Sequence, residues 1–149
     1  MPAAAVVLAI ADALVADLAT DPFLLGLGVE THQAARAYAP ILELEDMAGL
    51  HLTVVPRSQA STRLARGLFE ETYEIDVAVQ QRAATDAERD ALMLLAQAMH
   101  ERYRSQRLTA YPAAVCVGGK VEPLFAREHL LEHGVFTSVL TLTYQLGRP

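Results

Sequence analysis

The sequence has 149 residues, 52% hydrophobic and 20% charged, which is enough to bury one core and fits a single domain over 1–149. Its 18 acidic and 12 basic residues give a net charge of −6, excluding the broad basic footprint of a protein that binds nucleic acid by charge. The one cysteine, Cys116, cannot form an internal disulfide, and its apolar run from Ala113 to Val117 is the usual setting of a buried, inert thiol.

Ala3 to Ala19 is almost continuously apolar. No Lys or Arg precedes Arg36, as a signal peptide would require, and a membrane span would carry Asp12 and Asp17 into hydrocarbon. A soluble, intracellular protein without a membrane partner is expected. Val7, Ile10, Ala11, Leu14 and Leu18 instead share one stripe at three and four spacing, which predicts a helix stopped by Asp21-Pro22. After Gly26 and Gly28, Val29 to Tyr38 reads as extended, though its alternation is weak and its alanines would also suit a helix. Pro40 to Ala48, with Glu43, Glu45 and Asp46, reads as a loop or single turn before a strand from Leu50 to Val55 that Pro56 ends.

Between Pro56 and Gly67, Arg57, Arg63 and Arg66 stand among Ser, Gln and Thr with no period, which predicts a long exposed hairpin loop. The next strand alternates cleanly: Tyr73, Ile75, Val77 and Val79 on one face, Thr72, Glu74, Asp76 and Gln80 on the other. Thr85 and Glu88 make a capping box, and Leu92, Leu95, Ala96, Met99 and Tyr103 carry an amphipathic helix to about Gln106. Tyr111-Pro112 breaks the chain. Ala113 to Val117 then forms a short strand, Gly118-Gly119 a tight turn, and Lys120 to Leu124 pairs back. Glu128 to His133 reads as a turn of helix closed by Gly134. The last strand alternates Phe136, Ser138, Leu140, Leu142 and Tyr144 with Thr137, Val139, Thr141 and Thr143.

This order predicts an α+β fold, a mainly antiparallel four- to five-stranded sheet with two principal helices on one face. The other face is left wet and acidic, a surface suited to solvent or to self-assembly.

The strings that resemble catalytic motifs fail on chemistry. His129-Leu130-Leu131-Glu132-His133 matches the H-x-x-E-H of inverted zinc peptidases, but those enzymes draw a further carboxylate from a later helix, and no Asp or Glu follows His133 here. Gly118-Gly119-Lys120 lacks the first glycine of a phosphate loop, because Ala114 stands there, and Val121 removes the hydroxyl that would hold magnesium. Ser58, Ser61, Ser105 and Ser138 have no G-x-S-x-G setting. Glu74 and Asp76 share a strand face, but nothing nearby supplies a partner acid or a sugar-binding platform alongside Glu70 and Glu71. No catalytic, metal or cofactor residue is assigned.

Several segments carry a family likeness: Ile10 to Leu18, Arg36 to Pro40 with Glu43 to Asp46 after it, Leu52 to Pro56, Tyr73 to Gln80, Asp90-Ala91-Leu92, Tyr111-Pro112 and Phe136 to Tyr144. In size, order and texture the chain resembles the tail terminators and related head-tail joining (neck) proteins of long-tailed bacteriophages. The resemblance implies a non-enzymatic virion protein, made in the host cytoplasm, that forms a homohexameric ring without a cofactor. Such a ring caps the tail tube and docks it to the head-side connector, so its partners are other copies of itself, the tube protein and the connector protein. DNA would pass through the lumen without specific binding, which an acidic lining favours. Glu74 and Asp76 are then expected to face a lumen or a neighbouring subunit, with Arg57, Arg63 and Arg66 reaching across an interface. The competing expectations are a head-completion or other minor neck or tail protein, a small cytoplasmic ligand-binding or regulatory domain, and a zinc hydrolase using His129 and His133.

Overall fold

The computed structural model describes residues 5–29, 33–40 and 49–148; the expected acidic turn at Glu43, Glu45 and Asp46 lies outside them. Helix α1 (Val6–Thr20) buries Ile10, Ala11, Leu14 and Leu18, the stripe the spacing marks. Asp21 ends it and starts another helix: its carboxylate accepts the Phe23 N–H at 3.0 Å, and Pro22 takes the first position of the short α2 (Pro22–Gly26). Of the expected extended stretch from Val29 to Tyr38, the described strand is β1 (Ala34–Arg36).

The remaining elements are β2 (His51–Ala65), β3 (Leu68–Arg82), α3 (Asp86–Tyr103), β4 (Val115–Val121), α4 (Arg127–His133) and β5 (Val135–Arg148). They form a sheet of order β1-β2-β3-β5-β4 in which β1 runs parallel to β2 and every other neighbouring pair is antiparallel. The fold is therefore α+β with a five-stranded, mainly antiparallel sheet. Helix α1 packs on β1 and β2, while α3 packs on β3, β5 and β4. Both sit on one face, where Ile10, Leu14, Leu92 and Met99 meet Leu52, Val54, Ile75, Val77, Leu140 and Leu142 in one core.

The capping box forms. The Glu88 N–H donates to Thr85 Oγ1 at 3.2 Å, and Glu88 Oε2 accepts the Ala84 N–H at 3.0 Å. Gly134 closes α4 at φ 66°, a left-handed conformation that glycine adopts without Cβ strain.

Three expectations change. Pro56 does not end its strand, because β2 continues through it to Ala65; Arg57 is the extra residue of a bulge between Pro56 and Ser58, where a strand tolerates proline. The expected loop from Pro56 to Gly67 is thus a paired hairpin arm, turning at Arg66-Gly67 with Gly67 at φ 76°. Its two wet faces show no alternation because neither has a core to meet. Gly118-Gly119 is not a turn either. Both residues lie inside β4, where a Cβ on Gly119 would come 3.0 Å from His100 Cδ2 and 3.2 Å from Leu142 Cδ2. Glycine at 119 lets α3 approach the sheet closely. Gly119→Ala is expected to cost about 1–2 kcal/mol through overpacking, read from denaturant unfolding.

The second sheet face is wet only in part. Glu74 and Asp76 are half-buried, whereas Ala78, Gln80, Thr53 and Thr137 on the same face are buried. Helix α4 packs on β5 at this end, and His129 Nδ1 lies 2.9 Å from Thr137 Oγ1. On the helix-covered face, Tyr73 and Tyr144 pair directly across β3 and β5, both fully buried, and neither hydroxyl has a partner among the described residues. Burial also pushes the Tyr144 hydroxyl well above its ordinary pKa. Tyr144→Phe is expected to leave stability unchanged or raise it by about 1 kcal/mol, read as a thermal shift. A clear loss of stability would show that the hydroxyl is bonded.

Candidate functional site: a charged sheet face and an open arm

The five residues singled out by the sequence divide into two groups. Arg57, thrown outward by its bulge, meets Glu74 Oε2 at 3.8 Å and Asp76 Oδ1 at 3.7 Å, both in its own chain. Thr141, from β5, donates its hydroxyl to Asp76 Oδ1 at 2.6 Å, and Arg57 reaches the Thr141 oxygen at 3.4 Å. One cation thus sits over two carboxylates, so this face is less acidic than the alternation alone suggests. Its side chains are partly exposed, and pairs of this kind contribute about 0–1 kcal/mol each. Beside them, Glu74, Val117, Lys120, Thr141 and Thr143 line a shallow concavity.

Arg63 and Arg66 lie at the far end of the arm, with no ion pair among the described residues. Arg63 pairs across the ladder with Phe69, and Phe69 with Arg148, so cations gather at the tip. Leu64, Leu68 and Phe69 are exposed there, Leu64 by 55%. Glu70 and Glu71 lie just below, where Glu71 accepts the Ser61 hydroxyl at 2.6 Å. The arm is three strands wide, because β5 accompanies β3 to Phe69. Among the described residues the outer side of β2 is open beyond Val54, since β1 pairs with it at Leu52, Thr53 and Val54. The sequence holds a signal for this arm in Arg66-Gly67, a two-residue turn with polar stretches of similar length on either side.

A second charged cluster joins the helices. Asp21 is buried between α1 and α3, where it takes the Nε and NH2 groups of Arg102, the latter at 2.9 Å, and the Tyr103 hydroxyl at 2.6 Å. Burial alone would raise the carboxyl pKa, but the bonds from Arg102, Tyr103 and the Phe23 N–H outweigh it and hold it below the ordinary value. Burial and the Asp21 bond push the Tyr103 hydroxyl far up. Arg36 makes a similar tie, from β1 to Asp12 on α1 at 2.6 Å. These contacts tie α1 to α3 and to β1.

The zinc-like string folds as the short, exposed α4, with His129 held by Thr137 and His133 at 4.0 Å from Glu132. Among the described residues no three His, Cys, Asp or Glu side chains converge as a metal ion requires. Cys116 is buried, and burial raises its thiol pKa away from reactivity. Among the described residues no helix is long and apolar enough to cross a membrane.

No family model matches the chain, and no curated protein matches it significantly. Among solved structures it is similar to a chain in the virion of a native gene transfer agent particle. The two are 18% identical, and the alignment covers 97% of this chain and 99% of that chain at a TM-score of 0.63. At that identity the likeness establishes a shared fold over nearly the full length of both chains.

Proposed function

We propose that this chain is a non-catalytic structural subunit of a phage-like particle, acting as a ring at the junction of head and tail. The observation that carries the reading is the end-to-end correspondence with a virion chain, with almost nothing left over on either side. The likeness lies at the level of the fold, and fold-level analogy is the warrant here. The surface agrees with assembly: an arm with a strand edge open among the described residues stands clear of the core.

Within the junction, the tail-terminator role suits the chain best, with the tail tube on one side, the head-side connector on the other and DNA passing through the lumen. A lining built from Arg57, Glu74, Asp76 and threonines would be polar and nearly balanced in charge, and would not retain phosphates. Negative-stain imaging and native mass measurement of the purified protein are expected to give a closed ring, hexameric if the resemblance holds. Particles purified from cells that encode the chain are expected to contain it, and those lacking it to have unjoined heads and tails. Its absence from normal particles, with joining unaffected by its deletion, would overturn the proposal. Elemental analysis is expected to find no stoichiometric zinc; finding it would favour the hydrolase reading of His129 and His133.

A further inference from the structure

We infer that the arm is a strand-addition surface whose occupant is a second copy of this chain, the β4 edge of one copy pairing antiparallel with the free edge of β2 in the next. This rests on the ring-subunit reading and gives that ring its joint.

The free edge follows from the hydrogen-bond parity of β2. Ala37 N–H donates to Val54 O at 3.0 Å across the outer side of the strand, so the Val54 backbone groups point outward. In an antiparallel ladder the direction alternates, which points Pro56 outward too, where its missing N–H costs no ladder bond. Arg57 is then inserted by the bulge. Beyond it Gln59, Ser61 and Arg63 again face outward, each offering an N–H and a C=O to an edge that β1 does not reach. Ser58 to Arg63 contains no proline, glycine or carboxylate to protect that edge.

The opposite edge of the sheet is open as well. The inner side of β4 is taken by β5, and on its outer side Arg107 bridges to Val115, which leaves Cys116 to Val121 uncovered among the described residues. Strand sense makes the two edges compatible. β2 and β5 run one way, β3 and β4 the other. Copies related by rotation, with their arms pointing alike, therefore bring β2 against β4 antiparallel, and the same step repeated closes a ring.

Pairing two β2 edges with each other would give only a closed pair, and charge opposes it. From Val55 to Gly67 the chain carries Arg57, Arg63 and Arg66 and no acid. From β4 into α4 it carries Glu122, Glu128 and Glu132 against Lys120 and Arg127. Two β2 edges would set arginine against arginine, whereas the β4 edge carries Lys120 alone and has the acids Glu122, Glu128 and Glu132 beyond its end to receive the arm's arginines. In the joined ring the face away from the helices, with Arg57, Glu74, Asp76, Thr141 and Thr143, would line the lumen.

Disulfide trapping of the full chain at high concentration tests this. Ala60, Thr62 and Lys120 all lie on the face away from the helices, opposite Thr72, Glu70 and Thr141 respectively. Ala60→Cys with Lys120→Cys, or Thr62→Cys with Lys120→Cys, is expected to give a ladder of covalent multimers under mild oxidation. The single variants and the native chain, with its buried Cys116, are expected to give none. Adding Gln59→Pro and Ser61→Pro is expected to cut the ladder about tenfold by removing two outward N–H donors, while the unfolding midpoint stays unchanged. Efficient dimers from Ala60→Cys alone would mean that β2 pairs with itself and would overturn the inference. Closed rings that neither cysteine pair links and the prolines leave intact would overturn the joint while the ring-subunit reading stands. Absence of rings, of links and of the chain from particles removes both.

Discussion

Asp21→Asn is expected to destabilise the protein by about 2–3 kcal/mol, a fall in melting temperature of roughly 6–12 °C for a domain of this size. Asparagine can still cap α2 through the Phe23 N–H, so the substitution isolates the loss of charge against Arg102 and Tyr103. The cost stays below that of a fully buried pair because the Arg102 side chain is 34% exposed and keeps some water. Asp21→Ala loses the cap too and is expected to cost about 1 kcal/mol more. The same carboxyl gives the protein an acid limb. Its folded pKa lies below the ordinary 3.8, so its contribution is fully present above that value and is lost as pH falls through the lowered one. Melting temperatures of the native chain should therefore drop below about pH 4, and Asp21→Asn should flatten that drop. An unaltered acid limb in the variant would place the acid sensitivity elsewhere.

Ile75→Ala is expected to cost about 3–4 kcal/mol, because Ile75 is fully buried between Pro56 and Leu142 at the centre of the sheet. One residue earlier, Glu74→Ala should change stability by no more than about 0.5 kcal/mol, since it removes only a 3.8 Å pair with a half-exposed arginine. Urea unfolding of the two variants reads the pleat directly. Comparable losses would mean that Glu74 is held more firmly than its exposure suggests.

Where a residue faces a core, the sequence reveals it. Leu92, Leu95, Ala96, Met99 and Tyr103 are the residues that α3 buries, and Tyr73, Ile75, Val77 and Val79 are buried on β3. The arm escapes this kind of reading. Hydrophobic periodicity records contrast between two environments, and from Arg57 to Ala65 both faces meet water, so strand and loop look alike. Gly118-Gly119 misleads for a related reason: glycine marks turns by its backbone freedom, but here it marks close packing against His100. The candidate site is legible only in its side chains. Glu74 and Asp76 show their shared face, but the bulge that brings Arg57 over them, and the free edge beside it, are matters of backbone pairing that no residue type announces. Asp21 likewise reads as a helix stop, and its bond to Arg102 depends on how α1 and α3 come together.

The position of β5 bears on when this protein becomes competent. It is made after every strand it touches, yet it is inserted between β3 and β4. A chain that has formed β4 but lacks Val135 to Arg148 has no strand to join its two halves, and its core closes only when that strand is added. The two edges of the sheet, on β2 and β4, are thus set in register with each other only once β5 stands between them.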